Sequence, residues 1–371
     1  PNIQKRKIEY QKPPGNFAIA TFALHTTRAF ELNGAMNKLY LPVFACAISA
    51  CLSAQAQIAQ PPSTPSGKPG VSIPQDSLQN LTLDQVVISG NKILERKSDI
   101  PHQVDLVLKK QITRLSPQTT ADALESSGAV FVQKSQQGGG SIVLRGFEAN
   151  KVLLVVDGVR MNNAIYRAGH LQNSITTDPN MMERIEVLQG AGSVVYGTDA
   201  IGGVVSFFTR RPALGDSAKF QAKTRSYLRY ASVNQGKTAH ASLNLGNRRW
   251  AFLTGVTVSD FGDLRSGKND MKRYPGFGDR LFYVEPVNGR DSVFTNPDPD
   301  VQKQSGYRQL DILQKILFAS GNGTRQTLNL QISTTSDVPR YDRLQALEGS
   351  GKPRFAEWNY GPQERLLFSY E

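Results

Sequence analysis

The sequence predicts an α+β domain followed by an incomplete antiparallel transmembrane β-barrel. Between residues 141 and 206, short continuous apolar runs end at glycine, which is typical of strands buried on both faces. Beyond Pro212, apolar and polar residues alternate strictly, as they do in strands with one apolar and one polar face. Two long polar stretches, 260–304 and 338–363, alternate with short turns, which is the loop pattern of outer-membrane barrels.

Composition and charge place the chain among globular proteins. It has 371 residues, of which 39% are hydrophobic and 20% charged, and its formal net charge is +12. The lysines and arginines are scattered, and no basic run is interleaved with the aromatic side chains on which nucleic-acid bases stack. Nucleic acid is therefore not expected as a partner.

The N-terminal part predicts an export signal preceded by a leader. Residues 36–56 have a basic start, a short apolar centre and an Ala-x-Ala end, which is typical of a cleaved signal peptide. Because such a signal functions at the start of a chain, we interpret residues 1–35 as a mis-assigned upstream leader and Met36 as the first residue. Two alternatives are a membrane-spanning helix, which the short run containing Pro42 disfavours, and lipidation of Cys51.

A linker and one extended segment are predicted before the α+β domain. Residues 57–81 are rich in Pro, Ser and Gly, which favours a flexible linker. The next segment, 82–90, is β-prone, and its central residues are Asp84, Gln85, Val86, Val87, Ile88 and Ser89. An extended peptide of this kind can add a strand to the exposed edge of a partner's sheet. The alternative is an ordinary first strand of the following domain.

Residues 91–212 are predicted to contain two helices beside the strands. The stretch 116–125 has a Ser or Thr start and an apolar face, as a capped helix requires. A second helix is expected at Pro179, with Asp178 as its N-cap.

Four motifs in this domain follow one another in a specific order. They are LRG at 144–146, VDGVR at 156–160, ERIEVLQG at 183–190 and YGTDAIGGVV at 196–205. This order resembles the plug domain of TonB-dependent outer-membrane receptors. The resemblance implies that 57–81 is a periplasmic linker, 82–90 the TonB box that docks onto the protein TonB, and 91–212 an α+β plug domain. It also implies that 213–371 holds the first strands of a truncated outer-membrane β-barrel.

Two arginines border the apolar strands of the plug. Arg145 and Arg184 each need a carboxylate partner, because an unpaired buried guanidinium is costly. In the resembled family, arginines at such positions pair with acids on the barrel wall and form a latch. Pairing inside the plug, with Asp157, Glu183 or Glu186, remains equally open.

The polar stretch 160–171 lies between two strands and predicts an apex loop that faces outside. Its candidate ligand-binding residues are Asn162, Asn163, Tyr166, Arg167 and His170. In haem-uptake members of the resembled family, a Gly-His-Leu at this place presents an imidazole to haem iron, and His170 matches that residue. A structural histidine that bonds to a neighbouring carbonyl is the alternative.

The number of alternating strands is too small for a closed barrel. We count about six, whereas a plugged transporter has about 22. Since an open sheet edge in lipid leaves unpaired amides, we interpret the chain as a fragment of a longer receptor. A soluble β-sandwich alternates in the same way and is the alternative fold.

The sequence contains no catalytic constellation. Its four histidines lack metal-ligand spacing, and its glycine-rich stretches lack a following Lys-Ser or Lys-Thr. We therefore expect no enzyme and no cofactor of its own. The resemblance implies energised uptake of a scarce ligand, with haem or haemoprotein iron first, ferric siderophore second, and glycan or peptide open. The implied partners are TonB, outer-membrane lipid and a small iron-containing or other ligand; the alternative is a secreted soluble β-rich binding or adhesion module.

Overall fold

The computed structural model describes residues 86–87, 90, 92, 95–148, 151–161, 173–267, 273, 275–349 and 351–371. The predicted leader (1–35), signal peptide (36–56) and linker (57–81) lie outside the described residues. None of the described helices has both the length and the apolar character that a membrane crossing requires.

The plug domain contains short strands, helices and turns. Its strands are β1 (Val86–Val87), β2 (Glu95–Arg96), β3 (Val104–Leu108), β4 (Phe131–Gln133), β5 (Ser141–Val143), β6 (Val152–Val156), β7 (Val159–Arg160), β8 (Met182–Gln189) and β9 (Gly203–Thr209). Its α-helices are α1 (Lys109–Leu115), α2 (Thr120–Ser126) and α3 (Ser193–Tyr196). Single 3-10 turns occupy Lys97–Asp99, Asn173–Thr176, Pro179–Met181 and Thr198–Ala200.

The centre of the plug is a five-stranded sheet in the order β3-β8-β9-β6-β7. Strands β6 and β9 are parallel, and the other neighbours are antiparallel. All five residues of β6 are buried, because apolar clusters cover both faces of the sheet. Phe207 is fully buried in one cluster and Leu153 in the other. The continuous apolar runs therefore mark strands buried on both sides, as predicted.

The helix predicted over 116–125 exists but begins later, and the helix predicted at Pro179 is only a single 3-10 turn. Ser116 takes a positive φ of 45° and ends α1, so α2 begins only after Thr119. Thr119 N donates to the Asp122 carboxylate at 2.8 Å, and Asp122 N donates to Thr119 Oγ1 at 3.2 Å, which forms a capping box. Asp178 caps only one 3-10 turn, because the chain enters β8 directly afterwards.

The second part of the chain is an antiparallel six-stranded sheet. Its regular strands and the local elements in its loops are β10 (Gln221–Ala231), β11 (Gly236–Gly246), β12 (Trp250–Phe261), β13 (Leu264–Arg265), β14 (Phe282–Val287), β15 (Arg290–Thr295), β16 (Val301–Gln302), β17 (Tyr307–Ala319), β18 (Arg325–Pro339), α4 (Tyr341–Leu344) and β19 (Asn359–Tyr370). The order of the large sheet is β10-β11-β12-β17-β18-β19, which we call the wall. The expected count of about six strands is confirmed, and the wall does not close.

The wall is polar on the face that meets the plug and apolar on the other. Gln331 is only 3% exposed and Asn329 is also buried, whereas Leu366 and Phe368 are 66% and 64% exposed. A soluble β-sandwich buries its apolar face instead. This inverted pattern suits a sheet whose outer face meets lipid, so it favours the transmembrane barrel over the soluble alternative.

The two predicted long loops carry structure of their own. The first holds the hairpin β14–β15 and the small pair β13–β16, and the second holds α4. Both loops leave the wall at one end, here called the long-loop end. The short connections 247–249 and 320–324 mark the opposite, short-turn end.

Candidate functional site

Asp157 and Gly158 form the two-residue turn between β6 and β7. Val156 pairs with Val159, and the turn residues have positive φ values of 45° and 82°. Asp-Gly is a preferred sequence for a hairpin turn with left-handed backbone at both positions. The motif therefore makes the turn, and the turn places the Asp157 side chain at the border of the plug and the wall.

The Asp157 carboxylate receives hydrogen bonds from both domains. Within the plug, Thr209 N donates to Oδ1 at 2.8 Å and Thr209 Oγ1 donates to Oδ2 at 2.5 Å. From the wall, Lys315 Nζ lies 2.9 Å from Oδ2, Asn329 Nδ2 3.2 Å and Gln331 Nε2 2.7 Å. The side chains of Asp157 and Lys315 are only 9% and 5% exposed. We call Asp157, Lys315, Asn329 and Gln331 the Asp157 anchor.

The environment keeps Asp157 ionised. Burial by itself raises the pKa of Asp157, but the charge of Lys315 and the hydrogen bonds from Thr209 lower it, and the net effect is a pKa below the ordinary 3.8. The anchor is thus a buried ion pair between plug and wall. Removing one partner of such a pair by substitution leaves an uncompensated buried charge, which costs about 3–5 kcal/mol.

A second polar contact joins the plug to the wall at the long-loop end. Gln137 Nε2 donates to Gly262 O at 2.8 Å and to Ser305 O at 3.0 Å. Asn234 Nδ2 donates in turn to Gln137 Oε1 at 2.8 Å. Since these partners lie in the connections of the wall, the plug reaches the level of the loops.

A third set of contacts surrounds residues 175–178 of the plug. Gln309 Nε2 donates to Ile175 O at 2.8 Å. The Arg365 guanidinium donates to Thr176 O at 2.8 Å. Thr257 Oγ1 donates to Asp178 and lies 2.7 Å from His240 Nδ1. We call these contacts, together with the Gln137 contact and the Asp157 anchor, the polar seam between plug and wall.

Apolar side chains also cross the seam. Met181 of the plug packs with Leu253 and Leu313 of the wall, and Ile175 packs in a cluster with Phe261 and other residues at the long-loop end. These clusters are small beside the main apolar core of the plug, which Leu367 of the wall also joins. The plug is therefore held together mainly by its own core, and hydrogen bonds contribute much of its attachment to the wall.

The two arginines of the predicted latch contact other plug residues. Arg184 Nε lies 2.6 Å from Glu186 Oε1, and its Cζ lies 4.0 Å from the centre of the Phe208 ring. Arg145 Nη2 donates to Gln103 Oε1 at 3.0 Å. These contacts agree with the alternative of pairing inside the plug, and a latch between Arg145 or Arg184 and the wall stays a prediction.

The predicted TonB box is described in part. Val86 and Val87 form β1, which pairs antiparallel with β2 in the register Val86 to Arg96 and Val87 to Glu95. Asp84, Gln85, Ile88 and Ser89 of the predicted box, and Asn162, Asn163, Tyr166, Arg167 and His170 of the apex loop, lie outside the described residues. The roles of both segments stay predictions.

The anchor was missed by reasoning from the sequence alone. The Asp-Gly turn after an apolar strand was a readable signal, and Lys315, Asn329 and Gln331 stand at inward positions of alternating strands. Their meeting was not readable, because no local pattern sets the position of the plug against the wall. No group of three or more His, Cys, Asp or Glu side chains in the described part of the chain is placed to hold a metal ion.

Together, an α+β domain seated on the polar face of an outwardly apolar antiparallel sheet is the architecture of a plugged outer-membrane barrel. Residues 96–204 match the family described as the TonB-dependent receptor plug domain. The chain is 28% identical over 290 residues to the vitamin B12 transporter BtuB of Vibrio vulnificus (strain CMCP6), covering 77% of this chain and 38% of that relative. The chain thus spans little more than a third of the relative's length.

A solved structure has the same fold. The FrpB iron transporter from Neisseria meningitidis (F3-3 variant) superposes with a TM-score of 0.51 at 18% identity, over 72% of this chain and 38% of that one. A double mutant of the Serratia marcescens haemophore receptor HasR, in complex with HasA and haem, gives a TM-score of 0.46 at 19% identity, over 64% and 32%. Residues 96–204 are thus a TonB-dependent receptor plug domain, and the similar proteins are TonB-dependent receptors of the outer membrane, which places this chain there as well.

Proposed function

We propose that the protein takes up a scarce ligand across the outer membrane, with TonB supplying the force that rearranges the plug. The polar seam is the observation that carries this proposal. A hydrogen bond between protein groups contributes only about 0.5–1.5 kcal/mol net, because water replaces it when it breaks. A plug attached largely in this way can shift and admit water while its apolar core stays folded.

The segment 82–90 is proposed as the TonB box, because its backbone takes an extended form at Val86 and Val87. Strand addition depends on main-chain amides, so Val87→Pro removes a donor and distorts the strand. In cells expressing the complete receptor gene, we expect Val87→Pro to abolish ligand uptake and to leave ligand binding unchanged. The matched control is Val87→Ala, which keeps the amide and should retain uptake. Normal uptake by the proline variant would remove this assignment.

The cargo is proposed to be haem or haemoprotein iron first and a ferric siderophore second, with glycan or peptide open. The Gly-His-Leu at His170 supports haem, and the relative named as a vitamin B12 transporter adds a corrinoid to the candidates. Growth of a strain that carries this receptor, with each compound in turn as the sole source of the required nutrient, distinguishes between these candidate cargoes. For haem, a Soret shift that is unchanged in His170→Ala would exclude iron ligation by this residue.

The rival proposal is a secreted soluble β-rich binding or adhesion module. It conflicts with the exposed apolar face of the wall and with the plug-domain match of residues 96–204. Membrane fractionation of the native protein is the direct test, since the rival requires the protein in the soluble fraction.

A further inference from the structure

A row of four aromatic rings crosses the outer face of the wall at its short-turn end. The ring centres of Phe220 and Phe252 lie 6.1 Å apart. The ring centre of Trp250 lies 6.2 Å from that of Phe252 and 4.6 Å from that of Phe318. Leu253 packs against the plug, and since side chains alternate along a strand, Trp250 and Phe252 point the other way. The row therefore belongs to the apolar face that meets lipid.

Two basic side chains stand beside this row. Lys219 directly precedes Phe220, and Arg249 directly precedes Trp250, so each positive charge lies one residue nearer the short-turn end than its ring. Ala319 N donates to Arg249 O at 2.7 Å, which joins the turn that carries Arg249 to the end of β17. We call the six residues of this surface the periplasmic rim: Lys219, Phe220, Arg249, Trp250, Phe252 and Phe318.

The short-turn end of the wall carries an excess of positive charge. Residues 215–223, 246–252, 317–327 and 369–371 contain five basic side chains, Lys219, Lys223, Arg248, Arg249 and Arg325, and two acidic ones, Asp216 and Glu371. Lys219 and Arg249 are exposed, and among the residues that the structure describes neither takes part in an ion pair. The two charges of the periplasmic rim are therefore available to an anion.

The order of ring and charge matches the order of layers at a membrane surface. Aromatic rings of membrane proteins lie at the level of the lipid headgroups, where hydrocarbon meets water. One residue of extended chain spans about 3.4 Å, so Lys219 and Arg249 reach beyond the rings to the level of the phosphates. Basic side chains at that level attract anionic lipids. Since the short turns of an outer-membrane barrel face the periplasm, the lipid within reach belongs to the inner leaflet.

We infer that the periplasmic rim binds an anionic phospholipid of the inner leaflet, with Lys219 and Arg249 on its phosphate and the four rings beside its upper acyl chains. The rings continue the lipid-facing surface of the wall, and Phe220 and Trp250 are 54% and 41% exposed. A soluble phosphate would leave those rings uncovered, whereas the acyl chains of a phospholipid cover them. This inference does not depend on the transported cargo.

The test measures lipid binding to the complete receptor in a neutral detergent. The probes are fluorescently labelled phosphatidylglycerol, which is anionic, and phosphatidylcholine, which has the same acyl chains and no net charge. The test variant carries both Lys219→Gln and Arg249→Gln. Equal amounts of each variant in the outer membrane show that assembly is intact.

The matched control is Lys223→Gln, which removes an exposed positive charge from the same end of the wall. Lys223 lies two residues from Arg225 on the same strand and so shares its face. That face meets the plug, because Arg225 Nη2 donates to Thr113 Oγ1 at 3.2 Å. The control therefore separates charge on the outer face from charge at the short-turn end in general.

We expect the wild type to bind phosphatidylglycerol more tightly than phosphatidylcholine. The double variant should lose about 10- to 30-fold in affinity for phosphatidylglycerol, since each basic residue near a membrane surface contributes a factor of roughly five. Its affinity for phosphatidylcholine should stay unchanged, and the Lys223 control should stay within about twofold of the wild type for both lipids.

Four results overturn the inference. They are equal affinity of the wild type for the two lipids, an unchanged preference in the double variant, an equal loss in the Lys223 control, and displacement of phosphatidylglycerol by an equal concentration of glycerol phosphate. The last result would show a site for a soluble phosphate instead of a lipid. None of the four affects the uptake proposal, which Val87→Pro tests.

Discussion

Replacing Asp157 with asparagine tests whether the buried ion pair holds the plug against the wall. Asparagine has almost the same shape, and its Oδ1 can still accept from Thr209 N, which donates at 2.8 Å in the wild type. The charge is lost, however, and Lys315 stays only 5% exposed without its counter-ion. Removing one partner of a buried pair costs about 3–5 kcal/mol. Because the amide NH2 in place of Oδ2 cannot accept from Thr209 Oγ1 or from the three wall donors, the expected cost lies toward the upper end of that range.

Native-state hydrogen exchange of the complete receptor measures this cost. The amides of β6 and β7 report the free energy of local opening next to the anchor. Lys315→Met and the double variant Asp157→Asn/Lys315→Met complete a double-mutant cycle. Because the double variant leaves no buried charge unpaired, we expect a coupling energy of about 2 kcal/mol or more between the two residues.

The reasoning is refuted if all three variants open with free energies within about 0.5 kcal/mol of the wild type, which is the range of an ordinary surface substitution. That result would mean that water reaches the pair and screens it. A large cost in Asp157→Asn that persists unchanged in the double variant would instead locate the role of Asp157 inside the plug, at Thr209.

Three further predictions concern the plug. The pKa of Asp157 in the folded protein is below the ordinary 3.8, so the ionised carboxylate stabilises the plug fully above pH 3.8, and this stabilisation is lost as the pH falls through the folded pKa. Plug opening measured by hydrogen exchange should therefore increase at that low pH in the wild type and not in Asp157→Asn. Thr119→Ala removes the N-cap of α2 and should destabilise the plug by about 1 kcal/mol in urea unfolding, whereas Thr119→Ser should not. Gly203→Ala places a Cβ 2.5 Å from Leu188 O at a φ of 146° and should cost about 1–3 kcal/mol by the same measurement; Gly267→Ala, which meets nothing within 4 Å, is its control. A Gly203→Ala variant as stable as this control would contradict the strain argument.

Local features of this protein were readable from the sequence because they depend on residues close together in the chain. The Asp-Gly pair specifies a left-handed turn, and Thr119 with Asp122 specifies a helix start, both through backbone sterics and neighbouring hydrogen bonds. The alternation beyond Pro212 predicted strands with opposite faces, since side chains point to alternate sides of a strand. The structure confirms about six of them in one sheet.

The partners of the two plug arginines are not determined by the sequence alone. Arg184 pairs with Glu186, two residues along the same strand and therefore on the same face. The sequence left that pairing and a wall partner equally open, because spacing alone does not say which acid lies on the far side of a domain border. The hairpin β14–β15 inside a predicted polar loop is different, because Asn288 and Gly289 form its two-residue turn with positive φ values of 52° and 74°, which is a local signal.

The sequence by itself determined the two kinds of domain, their order and the polar inner face of the wall, because hydrophobic period and turn chemistry act over a few residues. Only the tertiary structure decided that Asp157 meets Lys315 and that the Arg343 guanidinium carbon lies 5.7 Å from the centre of the Trp358 ring. The physical reason is the same in each case. Contacts between distant segments depend on how rigid domains and loops seat against one another, and that seating is set by the sum of many weak interactions rather than by any local pattern.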